Sequence, residues 1–167
     1  MTTTPRAKPA ASTQNRKSLL RKRASRLAAA QALYSMLLED VKTTPLKLTS
    51  TILSQWEDSK ANGDNELPTD TMPDKALLST IIERALEERS RLDDAINAII
   101  LPGWSRERTS TVLIATLMAA GAEWLASTRA APVLVDEYAA VGSSLLSDEE
   151  LSYLHKAMHV LFDGLAR

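Results

Sequence analysis

The 167 residues, 44% apolar and 25% charged, suffice for one buried core, which excludes wholesale disorder. The absence of cysteine excludes disulfides, thiolate zinc sites, iron–sulfur clusters and cysteine nucleophiles, and the 5 glycines lack the spacing of a phosphate- or dinucleotide-binding loop. The formal net charge of -1 hides a division: residues 1–38 hold eight bases and no acid, and the remainder holds twelve bases against 21 acids.

Alanine and leucine make up about three residues in ten and aromatics only 4%, a mixture that favours helices over strands. Residues 1–16 are Thr, Pro, Ala and Ser with scattered bases, and read as a disordered basic tail ahead of a helical domain over 17–167. A first helix is predicted from Lys17 to Leu38, where Leu19, Leu20, Leu27, Leu33, Leu37 and Leu38 recur near helical period. Thr44-Pro45 opens a second, with Ile52, Leu53 and Trp56 on its apolar face. Residues 58–73, rich in acids and amides and with two prolines, read as a flexible loop insertion. A third helix is expected over Asp74–Arg89 and a fourth from Ser90 to Ile99, before Pro102-Gly103. Ser105 is the expected cap of a fifth, Arg106–Ser127, whose centre is apolar nearly all round and therefore buried. A sixth spans Val133–Ser143, and a seventh begins with the capping box Ser147–Glu150 and runs to Leu165. No run approaches the ~18 apolar residues of a membrane span, and the N-terminus lacks a signal peptide's apolar stretch, so the expectation is a cytoplasmic protein with no membrane partner.

Candidate chemistry is sparse. His155, His159 and Asp163 stand four apart on the last helix, but three ligands along one straight helix cannot converge on one ion, and no metal or other cofactor is expected. There is no Gly-x-Ser-x-Gly elbow, and the acidic runs read as solvated faces, so no enzyme activity is expected. What rises above this background is Arg21, Lys22, Arg23 and Arg26 on the first helix. Lys22 and Arg26 are four apart, and Arg23 and Arg26 three apart, which makes one basic ridge able to track a phosphate backbone. Charge alone leaves RNA, DNA and an acidic surface open as partners.

The segment Arg23-Ala24-Ser25-Arg26-Leu27-Ala28-Ala29-Ala30-Gln31-Ala32-Leu33-Tyr34 resembles the opening of the bacterial transcription antitermination factor family NusB. Trp104-Ser105-x-x-Arg108 is similar to that family's Trp-Ser-x-x-Arg helix start. Glu123 falls where its fifth helix ends in a Tyr-Glu-Leu-like motif, and Val135-Asp136-Glu137-Tyr138 resembles its Ile-Asp-Glu-Tyr segment. The resemblance covers about residues 17–165. It implies an all-α fold of about seven helices as two crosswise-packed three-helix bundles. It also implies a non-catalytic factor that binds the single-stranded boxA element of RNA with a small-subunit ribosomal protein (NusE) and acts on the RNA polymerase elongation complex during ribosomal RNA transcription. Arg21, Lys22, Arg23, Arg26 and Lys156 would then contact RNA, and Tyr34, Glu107 and Arg108 would lie towards the protein partner.

The departures are specific. Where the family's last helix reads Lys-Phe-Val-Asn-Gly-Val-Leu-Asp, this chain has Lys156-Ala157-Met158-His159-Val160-Leu161-Phe162-Asp163, and a family lysine on the sixth helix appears as Ser143. Losing a stacking aromatic removes about 1–3 kcal/mol per base. A divergent helical adaptor that binds only protein, or a homodimer, is the rival expectation. An RNA-methyltransferase accessory domain is a third, set back by the lack of any cofactor-binding segment.

Overall fold

The computed structural model describes residues 10–40, 42–62, 71–100 and 109–167. Seven helices carry them: α1 (Ala10–Glu39), α2 (Pro45–Asn62), α3 (Lys75–Glu87), α4 (Arg89–Ile99), α5 (Thr111–Ala126), α6 (Ala131–Leu145) and α7 (Asp148–Gly164). No strand occurs among the described residues, and no helix is long and apolar enough to cross a membrane. α1, α2 and α3 pack on one another as one bundle; α5, α6 and α7 form the second, with α4 laid against α5 and α7. α5 joins the two, because it also packs on α1 and α3.

Composition explains the two central helices. In α1 every residue from Ala24 to Ala30 is buried, and in α5 every residue from Leu113 to Glu123. A helix enclosed on most sides needs small residues where neighbours approach and large ones between them. Ala28, Ala29, Ala115, Ala119 and Ala122 serve the first need, and Leu27, Leu33, Leu117 and Met118 the second. The amphipathic helices cover them: α3 buries Leu78, Ile81, Ile82 and Ala85, and α7 buries Leu154, Ala157, Met158, Leu161 and Phe162. Gln31 fixes α2 to α1 by accepting the Trp56 indole N–H at 2.9 Å.

Helix ends depart from the sequence expectations in places. α1 begins at Ala10 rather than Lys17, and nothing from Ala10 onward forbids a helix, Pro9 being the last proline before it. It ends at Glu39, and the next residue, Asp40, has a left-handed φ of 49°, a conformation Asp tolerates. α2 runs on to Asn62, into the stretch expected as loop; residues 63–70 of that stretch lie outside the described residues. α5 starts at Thr111, later than Arg106, because Ser110 is its cap and accepts the Leu113 N–H at 3.2 Å. The expected cap, Ser105, lies outside the described residues. The α7 capping box forms as the sequence predicts: Ser147 Oγ accepts the Glu150 N–H and Glu150 Oε1 accepts the Ser147 N–H, both at 3.3 Å.

The end of α7 is tied to α5. Trp124 stacks on Phe162 with centroids 4.8 Å apart and donates its indole N–H to the Leu165 carbonyl at 2.7 Å. The Arg167 guanidinium lies 3.6 Å from the centroid of the Trp124 ring.

Candidate nucleic-acid interface

The basic segment of α1 divides into an exposed part and a buried part. Arg21 and Arg23 are exposed and Lys22 half-exposed, with Arg16 and Lys17 exposed on the turns before them. Among the described residues, no acid lies within ion-pair distance of Arg21 or Lys22. The backbone beneath them is held firmly. Ser25 Oγ donates to the Arg21 carbonyl at 3.0 Å or the Asp74 carbonyl at 2.7 Å, and the Asp74 N–H donates to the Arg21 carbonyl at 3.3 Å. The ridge is thus docked on the start of α3, which holds its backbone in place.

Arg26 does not belong to this surface, which corrects the expectation that it contacts RNA. Its side chain is only 3% exposed, and the whole guanidinium is engaged inside the protein. Nε and Nη2 donate to the two carboxylate oxygens of Glu123 at 2.8 and 2.9 Å, and Nη1 donates to Glu137 Oε2 at 3.2 Å. The Tyr138 hydroxyl donates to Glu123 Oε1 at 2.8 Å, with the Ala119 carbonyl at 3.2 Å as its alternative acceptor. Arg129 stands 3.8 Å from Glu123 on the other side. Glu123 is the only charged residue of α5, and an unpaired carboxylate in that helix would be prohibitively costly. The bidentate arginine and the tyrosine make its burial possible. Desolvation pulls the Arg26 pKa down, but the hydrogen bond and charge of Glu123 outweigh it, so the guanidinium is held above its usual value. Burial, and then the Glu123 charge, push the Tyr138 hydroxyl well above the ordinary tyrosine range.

Sequence reasoning missed this network, although a signal was present. A lone acid near the end of a helix that is otherwise apolar all round must find a buried cation. Three segments that carry the family resemblance meet here, supplying Arg26, Glu123 and the pair Glu137-Tyr138.

Lys156 is exposed on α7, at the edge of a groove of about 420 Å³ lined by Ile99, Leu113, Tyr153 and Val160. The groove also carries Glu149 and Glu150. Lys156 is not adjacent to the α1 ridge: α1 and α7 do not touch among the described residues, and α6 packs against both. Ser143, where the family lysine would stand, is exposed on α6. Ala157, at the position of the family aromatic, is buried. Of the residues expected to face a protein partner, Tyr34 is half-buried on α1, whereas Glu107 and Arg108 lie outside the described residues. His155 and His159 are exposed, with ring centroids 5.6 Å apart, and no group of three or more potential metal ligands exists among the described residues.

Comparison with known proteins adds four findings. The model of the NusB family matches residues 23–153. The transcription antitermination protein NusB of Rhodopseudomonas palustris (strain BisB18) is 30% identical over 150 residues, covering 88% of this chain and 82% of that protein. That of Sinorhizobium medicae (strain WSM419) is 27% identical, covering 100% of this chain and 95% of its own length. Among solved structures, NusB of T. maritima is similar in fold, with a TM-score of 0.64 at 22% identity over 85% of this chain and 90% of that one.

Proposed function

The chain belongs to the NusB family of transcription antitermination factors, and from that membership we propose that it binds single-stranded RNA of boxA type through α1 and Lys156, without catalysis. The observation that carries this reading is the exposed Arg21 and half-exposed Lys22, neither paired with an acid among the described residues, with Arg23 beside them, on a stretch of α1 anchored by Ser25 and Asp74. Single-stranded RNA suits it. Guanidiniums donate in pairs to phosphate and stack on unpaired bases, and a single strand can bend over α6 to reach Lys156. A small-subunit ribosomal protein (NusE) is the proposed partner, with Tyr34, Glu107 and Arg108 as its proposed contacts, and the complex is proposed to act on the RNA polymerase elongation complex in the cytoplasm.

The test is fluorescence anisotropy of a boxA-like RNA and a scrambled one across a salt series, with and without the ribosomal protein. About four phosphate contacts predict a log–log salt slope near -3. Preference for the boxA-like RNA, strengthened by the partner, is the expected result. Equal binding to both RNAs at every salt would remove the boxA claim. Ala157 favours a second reading, a protein-binding adaptor or homodimer, because beside Lys156 it leaves a buried methyl group where a base would need a ring. Self-association with no RNA affinity would establish that reading instead.

A further inference from the structure

Arg23 differs from its neighbours on the ridge, because an acid already holds it. Glu137 Oε2 on α6 lies 3.4 Å from Arg23 Nε and 3.2 Å from Arg26 Nη1. The Glu137 side chain is 20% exposed and that of Arg23 50%, so this pair sits at the boundary between the buried network and the proposed RNA surface. Arg26 does not depend on Glu137 for neutralisation, since Glu123 takes two of its donors. The network therefore brings a second carboxylate to the surface where a phosphate would bind.

We propose that Glu137 is a built-in competitor for phosphate at Arg23 and sets how tightly the ridge holds RNA. The proposal rests on the RNA-binding reading above. A carboxylate and a phosphate seek the same guanidinium donors, and a phosphate seated at Arg23 would lie within a few ångströms of the Glu137 charge, far inside the roughly 10 Å screening distance at 0.1 M salt. Among the described residues, only Arg23 of the exposed ridge meets such a competitor, at the end of the ridge nearest α6. A polyanion bound by charge alone gains little at Arg23. An RNA that makes further contacts across α6 can displace the carboxylate, which makes Glu137 a device for selectivity.

The test compares the full chain with Glu137→Gln and Glu137→Asp, by anisotropy over a salt series with a short labelled RNA of scrambled sequence, which is held by charge alone. Glutamine keeps the volume, and its amide oxygen can still accept from Arg26, so the thermal midpoint should stay close to that of the parent. Glu137→Gln is expected to bind about 3- to 10-fold tighter at low salt, with a slope steeper by about 0.7, the value of one added single-strand phosphate contact. Glu137→Asp retains the charge and should bind like the parent. Adding Arg23→Gln should abolish the gain. Unchanged binding by Glu137→Gln overturns the proposal, and so does weaker binding with a shallower slope, which would make Glu137 a support that orients Arg23. If the parent binds RNA and Lys22→Glu loses it while Glu137→Gln changes nothing, only the role of Glu137 fails. If the parent binds no RNA at any salt, the RNA-binding reading fails with it.

Discussion

Replacing Glu123 with alanine is expected to cost about 3–5 kcal/mol of folding stability, the range for breaking a buried ion pair by removing one partner. The structure gives the reason. The substitution leaves the Arg26 guanidinium, 3% exposed, with only the Glu137 contact on one nitrogen, and takes the nearer acceptor from the Tyr138 hydroxyl. For a chain of this size the loss corresponds to a melting point lower by about 6–20 °C. Exchanging both partners for apolar residues, Arg26→Met with Glu123→Leu, should recover much of that loss, because no buried charge is then stranded. Tyr138 can turn to the Ala119 carbonyl in that variant. Urea unfolding of Arg26→Met, Glu123→Leu and the double variant measures the coupling. A Glu123→Ala midpoint equal to the parent's would show that the network does not hold α1, α5 and α6 together.

The same network gives the fold an alkaline limit. The folded pKa of Tyr138 is raised by burial and by the Glu123 charge, whereas the unfolded chain titrates near the ordinary tyrosine value of about 10. Below that pH both states keep the proton and the contribution to stability is intact. As pH climbs through the window above it, only the unfolded chain releases the proton, so stability falls towards the folded pKa. Tyr138→Phe should cost stability at neutral pH and flatten that alkaline decline.

The second large effect concerns binding and leaves the fold alone. Reversing Arg21, Lys22 and Arg23 together to glutamate is expected to weaken RNA binding about 100-fold or more at low salt, since three phosphate contacts become three repulsions. The thermal midpoint should hardly move, because these side chains are exposed or half-exposed and, among the described residues, only Arg23 has an ion pair, a surface one. Arg26→Met should do the reverse: it lowers the midpoint, and once the folded fraction is taken into account it leaves RNA affinity near the parent's. A ridge reversal that binds like the parent would move the RNA site off α1.

Much of the fold was legible in the sequence because burial writes itself into periodicity. α5 announced itself as central by being apolar all round, and Ser147 and Glu150 announced the start of α7. The beginning of α5 was less legible, since Ser105 and Ser110 both offer a hydroxyl before an apolar run and only the tertiary fold chooses between them. The four bases of the ridge cluster by spacing, but only Arg21, Lys22 and Arg23 reach the surface. On a helix, Arg26 is a neighbour of Lys22 and Arg23 by spacing alone, but α1 turns that residue inwards, where α5 presents Glu123. Sequence spacing gives neighbours along a helix; which of them faces water is decided by the other helices. That is also why Lys156 stands apart from the ridge, on a helix that does not pack against α1.

The most direct test is photo-crosslinking of a boxA-like RNA containing 4-thiouridine to the intact protein, with the crosslinked peptides mapped by mass spectrometry. The expected crosslinks fall on the first half of α1, up to Arg23, and on the α7 peptide that contains Lys156. Crosslinks confined to α2 or α3, with none on α1, would contradict the account.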